Sequence, residues 1–517
     1  MTFPWLTVLG ALPLVGALVV ALLPRGRAAL PKVVALGVSL AVLALTVVLA
    51  TLFEPGAGAQ FVQEYEWISA FGAHYAVGLD GIGLLMIVLT ALLTPVVILA
   101  SWDDAERGRW HVRSFFAWML ALEGLSIGVF AATDVFLFYV LFEATLVPIY
   151  FLIGGFGGTR RSYAATKFLI YSLFGGLLML ASVVGLYVVS SDTAGGPTYL
   201  LSELSTLSMD ETLGRWLFLG FFIAFAIKAP MWPVHTWLPD AASEGTPGTS
   251  VLLVSVLDKI GTFGMLRFCL GIFPEASQWA TPVVVTLAVV SVLYGALLAI
   301  GQDDMRRLIA YTSISHFGFI VLGIFVFTSQ GQAGATLYMF NHGLSTAALF
   351  LVTGFLISRR GSKMISDFGG VEKVAPVLAG VFLLSGLSSL SLPGLSPFVS
   401  EFLVLAGTFT TSITAAVLAT FGIVLAALYI LIMYQRTMTG PIRPGLEKTA
   451  DLNRRELVAL APLLVLLVVL GFFPKPALDV INPGVDARLE HVGVTDPAPA
   501  VPASTEPASA QAEGTDH

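Results

Sequence analysis

Fourteen apolar runs, each long enough to cross a bilayer, constrain this chain more than any other feature of its sequence. They fall at residues 2–23, 30–53, 78–101, 113–131, 134–154, 162–190, 213–235, 249–271, 281–300, 306–328, 333–357, 375–408, 411–436 and 456–473, separated by charged or Gly/Pro-rich breaks. A helix needs about 20 apolar residues to cross a hydrocarbon core of about 30 Å. The runs are continuous rather than ten-residue alternations, so they predict membrane helices and not a barrel. Only 11% of the 517 residues are charged while 56% are hydrophobic, a balance foreign to water-soluble domains. The expected fold is an all-α integral membrane protein of about fourteen transmembrane helices, with the lipid bilayer as its first partner.

Charge and cysteine narrow the function. A net charge of -7 offers no basic patch for nucleic acid. Cys269 is the single cysteine, so the sequence supplies neither a cysteine zinc site nor the ligands of an iron–sulfur cluster. Gly154-Gly155-Phe156-Gly157-Gly158 follows a membrane helix instead of a strand, and reads as a loop rather than a dinucleotide site. The first apolar run has neither a basic leader nor a clear small-residue cleavage site, and reads as a span.

The basic residues fix an expected orientation. Loops and flanks after odd-numbered runs hold 20 of the 26 Lys and Arg, from Arg25, Arg27 and Lys32 through Arg107, Arg109 and Arg113 to Arg454 and Arg455. The opposite side holds Arg215, Lys475 and Arg488. By the positive-inside rule both termini lie outside the cytoplasm. Residues 484–517, rich in Pro, Ala, Ser and acids, read as a disordered external tail.

Ionisable groups inside apolar runs cost at least about 2.5–3.5 kcal/mol each and are functional by default. They are Glu123 in the fourth run, Glu143 in the fifth, Lys228 in the seventh, Lys259 in the eighth and Glu401 in the twelfth, with His316 and His342 in the tenth and eleventh. Each gains and loses a proton, and burial disfavours the charged form of any of them. Together they form the candidate proton relay; helix-tying ion pairs are the plainer alternative. Asp80, Asp134 and Asp258 lie near helix ends or beside another charge and suit caps or pair partners. His74, His111, His491 and His517 fall in loops or the tail.

Two of the charges accompany helix breaks. In Ile227-Lys228-Ala229-Pro230-Met231-Trp232-Pro233 the prolines have no N–H, which leaves the carbonyls of Ala226 and Ala229 without helical partners beside Lys228. Irregular backbone at membrane depth is tolerated where it is buried in protein or lines a wet cavity. Leu392-Pro393-Gly394-Leu395-Ser396-Pro397 interrupts the twelfth run, with Ser396 as expected N-cap and Pro397 as first helical residue. Lys228 then ends a half-helix and Glu401 lies near the start of one, each with the sign its dipole favours. Glu143 to Lys228 and His316 to Glu401 are both 85 residues apart. An offset of five helices inverts topology, the design of transporters with inverted repeats. The expected organisation is peripheral helices over 1–112, five-helix units over 113–271 and 281–436, and a last helix at 456–473, with the seventh and twelfth helices discontinuous.

Lys228-Ala229-Pro230 through Pro233-Val234-His235-Thr236-Trp237-Leu238-Pro239-Asp240-Ala241, then Lys259-Ile260-Gly261, resemble the core signature of the antiporter-like subunits of complex I and of Mrp antiporters. So do Asp303-Asp304-Met305-Arg306-Arg307 through Ser315-His316, and Asn341-His342-Gly343-Leu344-Ser345-Thr346. The resemblance covers the chain to about residue 475. A glutamate at position 401 is similar to the M-type subunits of NADH-quinone oxidoreductase, whereas a lysine there would suit the Mrp type. Departures from the pattern are Phe263, the glycine-rich Glu244-Gly245-Thr246-Pro247-Gly248, and Asp258 before Lys259. The resemblance implies a proton-translocating subunit of a bacterial inner-membrane translocase. It implies neighbouring antiporter-like membrane subunits as partners, no cofactor on this chain, and FMN, iron–sulfur clusters and quinone on partner subunits. A membrane subunit of an Mrp antiporter or of a membrane-bound hydrogenase is the alternative.

Overall fold

A computed structural model describes residues 3–24, 26, 29–107, 110–192 and 196–496. Arg25, Arg27, Arg109 and residues 497–517 of the expected tail lie outside the described residues. Helices α1 (Trp5–Leu22), α2 (Ala29–Leu52), α3 (Gly81–Ala100) and α4 (Val112–Ala131) are followed by α5 (Val135–Ala144) and α6 (Leu146–Phe156). Then come α7 (Arg161–Ser191), α8 (Glu211–Lys228), α9 (Trp237–Glu244), α10 (Pro247–Ile272), α11 (Pro274–Ile300) and α12 (Met305–Phe325). The last six are α13 (Ser329–Arg360), α14 (Pro376–Ser389), α15 (Ser396–Thr411), α16 (Ile413–Met438), α17 (Arg454–Phe472) and α18 (Lys475–Val492).

Among the described residues, twelve helices are long and apolar enough to cross a membrane, α5 and α6 counting as one. The seventh and twelfth apolar runs are not among them. In the seventh the helix α8 ends at Lys228 and α9 begins just beyond the run, and the twelfth divides into α14 and α15. Helices α10, α12 and α13 form the interior, whereas α1, α2 and α17 bury only about a third of their residues or fewer, as a lipid-facing shell does.

The break after Lys228 is tighter than the prolines alone dictate. The Ala226 carbonyl is not left free: it accepts the Met231 N–H at 2.9 Å. The Ile227 carbonyl accepts the Trp237 indole N–H, also at 2.9 Å. The first residue of the second half-helix thus caps the last turn of the first. In the other break, Ser391 and Gly394 have positive φ, and a Cβ on Gly471 of α17 would lie 2.2 Å from the Gly394 carbonyl. Helix α15 begins at Ser396 with Leu395 in the cap position. Ser396 is therefore the first helical residue and Pro397 the second, so the helix starts one residue earlier than expected, and no side chain among the described residues caps this end.

Three other features depart from the sequence reading. The all-α expectation misses an antiparallel hairpin of β1 (Gln60–Ile68) and β2 (Ala73–Leu79) between α2 and α3. The fifth run turns at Thr145, two residues after Glu143, because Pro148 cannot donate to the Ala144 carbonyl. The disordered tail expected from residue 484 is ordered helix to Val492. Ile481, Val485, Leu489 and Val492, at spacings of four, four and three, bury one face of α18 despite Pro483.

Candidate functional site

The two breaks and the bend put the ionisable residues where helix backbone is interrupted. Glu143 stands one residue before the end of α5. Its carboxylate lies against α7, where Gly176 makes room: a Cβ there would sit 1.9 Å from Oε1. Lys228 is the last residue of α8, and is buried. Its Nζ has no hydrogen-bond partner among the described residues. It stands 4.9 Å from the Phe142 ring centroid and 5.7 Å from that of Phe168, with Glu143 as an electrostatic neighbour. The amine is held over aromatic faces, an arrangement that attracts a cation without fixing it to one carboxylate.

Helix α10 carries the next group. Residues Leu252–Leu257 are wound as a wide π turn, with Asp258 N–H donating to the Leu253 carbonyl at 3.0 Å; such turns recur at functional positions. Lys259 follows, fully buried, with Nζ donating to the Val254 carbonyl at 2.9 Å. The same Nζ is 2.6 Å from His342 Nδ1 and 4.6 Å from the Phe317 ring centroid. His342 Nε2 meets Thr346 Oγ1 at 3.1 Å. The His316 and His342 rings are 5.2 Å apart, and Tyr338, one turn from His342 on α13, has its ring 5.8 Å from that of His316.

Beyond Tyr338 lies Glu401 on α15, buried, with Ser391, Tyr338 and Tyr429 about it. Asn341 ties α13 to the start of α15 by donating to the Ser396 carbonyl at 2.8 Å and to Ser400 Oγ at 2.7 Å. Six of the seven residues singled out in the sequence thus fall into two neighbouring groups, Glu143–Lys228 and Lys259–His342–His316–Glu401. Glu123 does not join them: it is buried on α4 with Thr94 beside it and none of the other six as a charged neighbour. Arg267, also inside an apolar run, is a structural tie, its guanidinium 2.6 Å from Asp80 and bonded to the Phe130 and Ala132 carbonyls.

Sequence reasoning passes over Tyr338 and Thr346, which share the α13 face of His342 at four-residue spacing. In the sequence Asp258, like Asp80 and Asp134, suits a cap or a pair partner. Asp80 and Asp134 do cap α3 and α5, accepting from Gly83 N and Leu137 N. The Asp258 side chain caps nothing.

At the end of the bundle that carries most basic loops, α9 anchors a charged cavity of about 230 Å³ lined by Arg160, Asp240, Glu244, Asp304, Arg307 and Lys363. Asp240 takes Lys167 at 2.7 Å and Arg307 at 2.5 Å, and Lys363 bridges Asp304 and Glu244 at 2.9 and 3.1 Å.

Residues 132–426, which contain six of the seven candidates, match the family model described as NADH:quinone oxidoreductase/Mrp antiporter, TM. The chain is 52% identical to the NADH-quinone oxidoreductase subunit M of Mycobacterium tuberculosis, covering 99% of each. It is similar to a chain in the structure of respiratory complex I from Thermus thermophilus with bound NADH, at 32% identity and TM-score 0.85, covering 95% of this chain and all of that one. A chain of the Mrp complex from Dietzia, at 22% identity and TM-score 0.84, shares the fold.

Proposed function

The chain belongs to the NADH:quinone oxidoreductase/Mrp antiporter family of membrane proteins, and from that membership we infer that it is a proton-translocating membrane subunit of an NADH-quinone oxidoreductase. It does no redox chemistry itself. NADH oxidation and quinone reduction occur on partner chains, and this subunit couples their free energy to proton transfer across a bacterial inner membrane, with both termini outside the cytoplasm.

The observation that carries the reading is the 2.6 Å contact between Lys259 and His342, two proton-exchanging groups from different helices, deep in the bundle. Around it Glu143 and Lys228 act as a switchable pair. While the carboxylate is charged and near, Lys228 keeps its proton; when it withdraws or is neutralised, desolvation favours release. Lys259, His342 and His316 pass the proton along the centre, and Glu401, screened by Tyr338 and Tyr429, hands it to the exit side. Uptake is assigned to the charged cavity at Asp240, on the side where the basic loops lie. Glu123 stands outside this route.

The test is Glu143→Gln in the assembled complex reconstituted in liposomes. NADH-driven proton uptake is expected to fall by roughly tenfold or more with assembly intact. Full pumping by that variant removes the pair from the mechanism.

A further inference from the structure

We propose that Asp258 is a proton-carrying residue of this relay, joining the Glu143–Lys228 group to the Lys259–His342 group. The proposal deepens the reading above and rests on it. Consecutive helical residues leave the axis about 100° apart, so Asp258 and Lys259 address different neighbours. Lys259 reaches His342. The direction of Asp258 follows from Gly261, three residues on and on the same face. A Cβ on Gly261 would lie 2.6 Å from both the Phe225 carbonyl and the Ala229 nitrogen. That face of α10 therefore presses against the end of α8 that carries Lys228, and the charged neighbours of Asp258 are Lys228 and Lys259.

The side chain is fully buried and both carboxylate oxygens are without a hydrogen-bond partner among the described residues, as is Lys228 Nζ. A structural counter-ion would close a direct pair with one of its lysines, because a buried carboxylate left unsatisfied costs several kcal/mol (about 1–3 even for a neutral polar group). An acid held between two amines and bonded to neither is placed to exchange. The Asp258 carboxylate accepts a proton from the Lys228 ammonium, leaving a neutral amine and a carboxylic acid; the acid then donates to the neutral Lys259 amine. Only N–H and O–H bonds change, and one positive charge moves from the first group to the second.

Asp258→Asn, Asp258→Ser and Asp258→Glu, beside Glu143→Gln, test this in the assembled complex, with NADH-driven proton uptake and thermal unfolding both measured. Two neutral variants are made so that an assembly defect in one leaves the other. The neutral variants are expected to lose pumping roughly tenfold while melting as wild type does, and Asp258→Glu to recover most of it. Wild-type pumping in a neutral variant, or pumping that falls only in proportion to stability, overturns the proposal. If Glu143→Gln is crippled in the same preparations, the relay stands without Asp258; if Glu143→Gln pumps normally, the relay itself is refuted.

Discussion

Lys259 Nζ and His342 Nδ1 are 2.6 Å apart, 83 residues distant in sequence and buried on facing helices. Two cations at that separation would repel by about 6 kcal/mol at an effective dielectric of about 20. The contact therefore carries one positive charge at a time, and the other ring nitrogen, Nε2, lies 3.1 Å from Thr346 Oγ1.

His342→Gln, which keeps a hydrogen-bonding amide but cannot ionise, is expected to lower NADH-driven pumping roughly tenfold in fully assembled complex. Thr346→Ala, which removes only the group orienting the ring, should act in the same direction and less strongly. Proton uptake by liposomes containing each variant measures both. A wild-type rate in His342→Gln takes the imidazole out of the route.

Some of this site is legible in the sequence, and the reason is energetic. A lysine or glutamate within some twenty apolar residues has no cheap structural explanation, so Lys228, Lys259 and Glu401 stand out before any fold is known. Paired prolines mark the break at Lys228 for the same kind of reason. The bend after Glu143 does not stand out, because Pro148 lies three residues on and a lone proline is common in membrane helices. Asp258 hides beside Lys259, where adjacent opposite charges look like a pair; only the packing of Gly261 against α8 shows that they face apart. The hairpin hides because the polar alternation of Gln60–Ile68 sits between stronger apolar signals.

Gly176 gives a test that touches no titratable group. A methyl there would fall 1.9 Å from Glu143 Oε1, so Gly176→Ala must push the carboxylate off its present position. The atoms met are the far end of a flexible side chain, so the carboxylate moves aside while the backbone stays in place. The variant is expected to assemble and to pump more slowly than wild type, and Gly176→Val more slowly still. Equal pumping by all three would mean that the position of Glu143 does not matter to the reaction.

Trp237 separates stability from chemistry. Its indole N–H serves the Ile227 carbonyl at the end of α8, and Trp237→Phe leaves that buried acceptor short of a partner at a cost of about 1–3 kcal/mol. The purified complex should unfold at a lower temperature, with the carbonyl beside Lys228 free to take another donor. An unchanged melting profile would show that the cap contributes nothing.

Helix α18 makes the last prediction. It is held by an apolar stripe in which Ile481 and Val485 are buried, by Gln278 Nε2 donating to the Val492 carbonyl at 2.8 Å, and by His491 Nε2 2.9 Å from the Gly271 carbonyl. The Arg488–Asp80 approach is long, 3.9 Å, and Asp80 is already paired with Arg267 at 2.6 Å. Apolar burial at about 25 cal/mol per Å² therefore dominates the docking. Ile481→Asp places a charge in that stripe and should release the helix, exposing residues 475–496 to added protease while the membrane bundle stays intact. Arg488→Met removes the ion contact and keeps the aliphatic stem, so it should leave α18 docked. Cleavage in Arg488→Met without cleavage in Ile481→Asp would reverse the order of the two forces and assign the docking to charge.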